Sequence, residues 1–255
     1  MTPAHTPHPS SLTCLHGWGL GPDVWDDLRT RLPAWAIRTP ALPGYDGGAL
    51  PAPYRPETLA DALARHEPAP GVLLGWSMGG MVALAWAARA PQTVRGLILV
   101  ASTPVFVQRA DWAAGLAPEV VDAFAAELLA DPRATLLRFL ALTARAGEAA
   151  RAVTGRLRAL LDRHGHPPAT TLAAGLELLR TADLRPRLAA VRCPVLLVHG
   201  GHDALCPPAA AHWLAERLPQ ARLALHPHAA HAPFLSHPEW FAATVDAFLT
   251  ELDAR

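Results

Sequence analysis

Three residues set at the ends of expected strands carry the chemistry this sequence can support. Val72-Leu73-Leu74-Gly75-Trp76-Ser77-Met78-Gly79-Gly80 is an apolar run, then Gly-x-Ser-x-Gly, then an Ala-rich helical pattern from Met81 to Ala90. A buried strand feeding a sharp turn and a helix is the setting of a nucleophile elbow, where a strained backbone presents a serine hydroxyl. A Cβ at Gly75 or Gly79 would collide with the neighbouring strand and helix, so glycine is expected at both. Ser77 is therefore the candidate nucleophile. Its hydroxyl is weak at neutral pH and needs an imidazole to take the proton and an acid to hold that imidazole's tautomer. Asp203 lies in His199-Gly200-Gly201-His202-Asp203-Ala204-Leu205-Cys206-Pro207, and His231 in Ala229-Ala230-His231-Ala232-Pro233-Phe234. Each follows directly on an expected strand, and the order serine, acid, histidine suits an elbow of this kind. An isolated loop aspartate is more often a turn or cap residue; the strand-end placement is what selects Asp203. Position alone selects His231 among 13 histidines.

Acyl transfer also needs two backbone donors for the oxyanion. The Met78 N–H, just after the serine, is one. Trp18 N–H, in the loop His16-Gly17-Trp18-Gly19 after the first expected strand, is the natural second. The Trp18 indole either overhangs the serine as a pocket wall or packs in the core. His226-x-His228-x-x-His231 resembles a metal-binding run, but Ala229 and Ala230 between them offer no carboxylate. No metal and no other cofactor is expected. His199 and His202 read as loop residues near the acid, and His164, His166 and His237 as exposed loop residues or caps.

The elements that must position these groups alternate. Ser11 to Leu15 reads as a strand, Pro22 to Leu32 as a helix with Trp25, Leu28 and Leu32 inward, and Trp35 to Thr39 as a second strand. A loop at 43–48, a helix from Pro56 to Arg65, the elbow, and a strand from Gly96 to Ala101 follow. Strands alternating with helices imply a parallel sheet covered on both faces. The alternation breaks at Ser102-Thr103-Pro104. Only helical patterns follow, over Glu119 to Leu129, Pro132 to Ala144, Glu148 to Arg163 and Thr170 to Leu179, punctuated by Gly147, Gly165 and Pro167-Pro168. Alternation resumes with a strand over Cys193 to His199, a helix over Pro207 to Leu218, a strand over Ala221 to His226 and a helix over Pro238 to Leu252. The expected plan is a core of 11–103 and 188–255, an inserted helical lid over 104–187, and a loose tail over 1–10.

Composition sets outer limits. With 255 residues, 51% of them hydrophobic, the chain can bury a sizeable core. A formal net charge of zero gives no global pull toward nucleic acid or an anionic membrane. Cys14, Cys193 and Cys206 have neither metal-like nor disulfide-like spacing, which suits a reducing compartment. The first residues lack the basic and apolar regions of a secretory signal, and no run is long enough to span a bilayer. A cytoplasmic, monomeric protein is expected.

The residues reached so far resemble the α/β-hydrolase superfamily and, more narrowly, the BioH family, the pimeloyl-[acyl-carrier protein] methyl ester carboxylesterases of biotin synthesis. The matching pieces are Leu15 to Leu20, Gly75 to Gly80, Val100 to Pro104, Arg138 to Leu142, Gly175 to Arg185 and Ala229 to Pro238. They span residues 15–238. The elbow and the histidine context are superfamily-wide, whereas the two helical pieces, Arg138 to Leu142 and Gly175 to Arg185, are more specific. The resemblance implies an α/β-hydrolase fold with a mostly parallel sheet and an all-helical lid. It makes Ser77, Asp203 and His231 the triad, with Trp18, Ser77, Met78, Phe139, Leu140, Ala141, Leu142, Thr143 and His231 against substrate. The chain departs from the family pattern at Thr143, often Gln, and at Met78, usually Leu.

The lid is locally basic, with Arg133, Arg138, Arg145, Arg151, Arg156 and Arg158. An acidic acyl-carrier protein would be steered by such a surface. Arg138 and Arg151 align with family positions, and Arg145 and Arg156 are further candidates. The function implied is hydrolysis of the methyl ester of a carrier-bound pimeloyl chain. The rivals are a broad short-chain esterase or another serine hydrolase of this fold, and a ligand-binding receptor on a hydrolase scaffold.

Overall fold

The computed structural model describes residues 11–67, 71–145, 149–218 and 220–254. Each run read as a strand pairs into one sheet. β1 (Ser11–Leu15), β2 (Ala36–Arg38), β3 (Gly71–Trp76), β4 (Val94–Val100), β5 (Val195–Gly200) and β6 (Ala221–His226) lie in the order β2-β1-β3-β4-β5-β6. Every strand pairing within this sheet is parallel among the described residues. β3, β4 and β5 are buried almost end to end, and their unbroken Val, Leu and Ile runs reflect cover on both faces. The strand order reverses between β1 and β3, and the crevice beyond the carboxyl ends at such a switch is where open α/β sheets bind ligands.

α1 (Asp26–Arg31), α2 (Pro56–His66) and α3 (Met78–Arg89) alternate with the first strands, α3 packing on β1, β3 and β4 and α2 on α3. Residues 78–87 of α3 are all buried, which explains a Gly, Ala and Met composition without a polar face. Between β4 and β5 come α4 (Pro118–Ala130), α5 (Pro132–Ala144), α6 (Ala150–His164) and α7 (Ala169–Thr181). Asp131 caps α5 by accepting the Ala134 N–H at 2.9 Å, and Pro at the first turn of each of α4 and α5 sets its start. α8 (Pro208–Ala215), α9 (Pro233–Ser236) and α10 (Pro238–Asp253) complete the chain.

Several boundaries differ from expectation. The first helix splits into a 3₁₀ turn, Pro22–Trp25, and α1, yet Trp25, Leu28 and Leu32 are buried as read. β2 shrinks to three residues at an edge where burial is incomplete. A bridged loop, Val107 with Leu116 and Arg109 with Trp112, precedes α4. A second 3₁₀ turn, Arg185–Ala190, and the short α9 carry no periodicity long enough to read. The tail expected over 1–10, Gly147 and the expected helix start at Glu148 lie outside the described residues. No helix among the described residues is long and apolar enough to cross a membrane.

Candidate active site

Ser77 caps α3 with φ 55° and ψ −119°, a left-handed-side conformation that side-chain-bearing residues adopt at a cost of about 1–3 kcal/mol. The turn is tight because two glycines allow it. A Cβ on Gly75 would stand 2.3 Å from the Gly79 carbonyl oxygen, and one on Gly79 2.4 Å from that of His16. Hydrogen bonds lock the elbow: Ser77 N–H donates to Val100 O at 3.0 Å, and the Ser102 hydroxyl donates to Ser77 O at 2.9 Å. Ser77 is only 4% exposed.

Asp203 and His231 meet directly. His231 Nδ1 lies 2.8 Å from Asp203 Oδ2, with both side chains buried. Asp203 Oδ1 accepts the N–H groups of Leu205 and Cys206, each at 2.9 Å, so the carboxylate is held from both sides. Because Nδ1 faces a carboxylate, it carries the proton, leaving Nε2 as the basic nitrogen. Nε2 is buried and has no hydrogen-bond partner among the described residues. A buried polar atom left open in this way points to a function for it. The His231 loop is pinned by the residue before the serine, since the Trp76 indole N–H donates to His231 O at 2.8 Å. The Trp76 and His231 rings are 5.7 Å apart, and His231 N–H donates to Thr143 O of α5 at 3.1 Å.

The opposite wall is the loop after β1. A Cβ on Gly17 would stand 3.3 Å from the Ser77 Cβ, so this loop lies directly against the serine. His16 fixes the loop with both ring nitrogens: Nδ1 donates to Gly17 O at 2.9 Å, and Nε2 accepts the Leu42 N–H at 2.9 Å. Burial pushes its pKa down to about 4, keeping the ring neutral as that pairing requires. Gly19 N–H donates to the Tyr45 hydroxyl at 3.1 Å. Neither Trp18 N–H nor Met78 N–H has an acceptor among the described residues. Those two donors are the ones an oxyanion would need.

The helices between β4 and β5 close over this region. The Trp18 indole N–H donates to Leu172 O of α7 at 2.9 Å, and its ring meets Phe139 edge to face at 4.8 Å. Gly175 of α7 leaves room for that indole, because a Cβ there would stand 2.6 Å from Trp18 Cδ1. Phe139, Leu140 and Thr143 face inward, Leu142 is half-buried, and Ala141 is exposed on the outer face of α5. Within the expected substrate-lining segment, helical periodicity thus sets Ala141 on the exposed face of α5. The Thr143 hydroxyl donates to Phe139 O of its own helix at 3.1 Å.

Among the described residues, His226 and His231 of the His226-x-His228-x-x-His231 run face different neighbours. His231 turns inward to Asp203, while His226 stacks on His237 with ring centres 3.7 Å apart. No group of three or more His, Cys, Asp or Glu among the described residues has metal-holding geometry. His199, read as a loop residue, sits inside β5, is buried, and lies 3.4 Å from Asp203 Oδ2. His164 and His166 are exposed as read, whereas His237 is half-buried. Sequence reasoning missed the parts played by Trp76 and His199. The only signal was their place, one residue before the serine and four before the acid.

The sheet, the elbow and the strand-end pair define the class. A family model described as alpha/beta hydrolase fold matches residues 11–238, and the chain belongs to that family. It is 47% identical to the pimeloyl-[acyl-carrier protein] methyl ester esterase of Aromatoleum aromaticum, over 92% of this chain and 96% of that one. The esterase of the same name from Nitrosomonas europaea is 41% identical over 92% of this chain and 94% of its own. Among solved structures, an esterase from Exiguobacterium antarcticum superposes with a TM-score of 0.84 at 25% identity, covering 94% of this chain and 92% of that chain. An enol-lactonase from Burkholderia xenovorans shares the fold, with a TM-score of 0.82 at 23% identity over 95% and 92% of the two chains. With these relatives, the chain is a carboxylic ester hydrolase.

Proposed function

We propose that the chain hydrolyses the methyl ester of a pimeloyl group carried on acyl-carrier protein, with Ser77, His231 and Asp203 as its triad. Ser77 Oγ attacks the ester carbonyl and its proton passes to His231 Nε2. The Asp203 carboxylate holds the resulting imidazolium. The oxyanion of the tetrahedral intermediate takes the free N–H groups of Trp18 and Met78. Collapse breaks the bond to methoxide, which leaves as methanol with the proton from His231. Water, deprotonated by His231, then attacks the acyl-enzyme and frees the distal carboxylate and Ser77. The observation that carries this reading is the paired Asp203–His231 with an unpartnered Nε2, beside an elbow serine.

The helical segment 104–187 acts as the lid. Trp18, Met78 and His231 are fully buried, so an acyl chain reaches Ser77 only when α5, α6 and α7 shift outward. A cavity of about 10 Å³ lies between α5, α6 and the loop of His231, lined by Thr143, Ala144, Ala149, Ala150, Ala230 and Ala232 among others. Arg145 and Arg151 follow directly on Ala144 and Ala150. Both are exposed, and no carboxylate among the described residues pairs with either. Arg138 instead pairs with Glu127 and lies 4.5 Å over the Phe124 ring, and Arg156 donates to Leu235 O at 3.1 Å and faces Asp27 at 3.5 Å. Of these four arginines, Arg145 and Arg151 are therefore the most available to an acidic carrier, with Arg138 and Arg156 giving up local partners to join them. A cytoplasmic site of action follows from that partner.

The test is a comparison of kcat/KM for the carrier-bound methyl ester with that for a small aryl ester, joined to complementation of a biotin auxotroph lacking this esterase. A strong preference for the carrier-bound ester, and growth with wild type but not Ser77→Ala, supports the reading. Equal rates on both esters without growth contradict it.

A further inference from the structure

β5 reads Val195-Leu196-Leu197-Val198-His199, and its last side chain breaks the apolar run inside the core. A buried imidazole is costly unless its polar atoms are used. His199 Nε2 lies 2.7 Å from the Cys206 carbonyl oxygen, which only accepts, so this nitrogen carries a proton and donates it. The same N–H faces Asp203 Oδ2 at 3.4 Å, the oxygen that also takes His231 Nδ1 at 2.8 Å. Cys206 in turn donates its backbone N–H to Asp203 Oδ1 at 2.9 Å. The turn that carries the acid is thus clasped at its far end by His199, and the carboxylate meets two imidazoles on one oxygen.

The geometry points to His199 as a positioning residue that acts through Asp203: it anchors the Cys206 carbonyl and keeps Oδ2 turned toward His231. This rests on the triad reading above. Burial lowers the pKa of His199, opposed by the Asp203 charge and the bond to Cys206, with His231 and His212 acting in the same direction as burial. The ring therefore serves as a neutral donor. Those groups, together with the Cys206 thiol, are the titratable neighbours the ring meets. The His199 N–H dipole beside Oδ2 offsets part of the Asp203 charge, and its removal leaves more of that charge facing the imidazolium that forms on His231.

The test uses His199→Phe, which keeps a ring but no donor, and His199→Gln, which keeps an N–H at similar reach. Rates are normalised to active sites counted with a fluorophosphonate. For His199→Phe the expected loss in kcat is roughly ten- to a hundredfold, with KM within about twofold. The acid limb of its kcat/KM–pH profile moves to higher pH, and His199→Gln restores most of both. A lower melting temperature with unchanged kcat per active site and an unmoved acid limb in both variants would overturn the proposal. Ser77→Ala in the same series separates the two layers. Turnover retained there refutes the triad itself, whereas its loss beside a wild-type-like His199→Phe refutes only the role of His199.

Discussion

The Trp76 indole N–H donates to the His231 carbonyl at 2.8 Å, so the residue preceding the candidate nucleophile fixes the loop of the candidate base. These residues are 155 apart in sequence. The bond couples the elbow to the last strand's loop. Trp76 also packs edge to face on Phe234 at 5.1 Å, which keeps the indole from turning.

Trp76→Phe removes the donor and keeps much of the packing. A buried carbonyl without its partner costs about 1–3 kcal/mol. The expected outcome is a melting temperature lower by several degrees and a kcat reduced about tenfold. Thermal denaturation and steady-state kinetics on a small ester check it. An unchanged kcat would show that the His231 loop is held by other bonds.

Two of the buried histidines, His16 and His199, give stability a pH dependence. His16 has its pKa lowered to about 4 and that of His199 is also lowered, both chiefly by burial, while both are ordinary in the unfolded chain. Unfolding therefore takes up protons between the folded and unfolded values, so stability is intact above about pH 6.5 and falls as pH drops toward 4. For His16 the loss across that window is about 3 kcal/mol. Urea unfolding at pH 7.5 and 4.5 measures it, and His16→Gln should show a shallower slope.

Gly175 is a packing requirement of the closed lid. A Cβ there meets Trp18 at 2.6 Å. Gly175→Ala gains helix propensity of about 1 kcal/mol but overpacks at a cost of about 1–3 kcal/mol. The variant is expected to be no more stable than wild type despite the better helix former, with altered Trp fluorescence and a several-fold lower kcat/KM. A clear gain in stability at full activity would show that Trp18 yields freely.

Arg145→Glu and Arg151→Glu test the proposed carrier-facing surface. Charge reversal at an exposed rim changes association and its salt dependence more than chemistry. The double variant should lose about tenfold or more in kcat/KM on the carrier-bound ester at low salt, less at high salt, and nothing on a small ester. Equal losses on both substrates would place these arginines elsewhere in the mechanism.

Much of this was legible because the signals are local. Gly75, Ser77 and Gly79 announce a turn by the backbone it needs, and Asp203 and His231 are selected by lying just past β5 and β6. Unbroken Val and Leu runs identify buried parallel strands. What stayed hidden depends on neighbours remote in sequence. Nothing near Arg138 says that Glu127 will claim it, and nothing in β5 says that His199 will face the acid instead of solvent. Ala141 sits on the exposed face because a helix turns only one side of a contiguous segment inward. The brief 3₁₀ turns and the three-residue β2 are too short to show a period.

The account stands most directly on covalent labelling. Wild-type protein treated with a fluorophosphonate should gain one adduct per chain, mapped by peptide mass spectrometry to Ser77. Ser77→Ala should gain none, and His231→Asn should react slower by at least about a thousandfold. Full-rate labelling in the His231 variant, or an adduct on any residue other than Ser77, would contradict it.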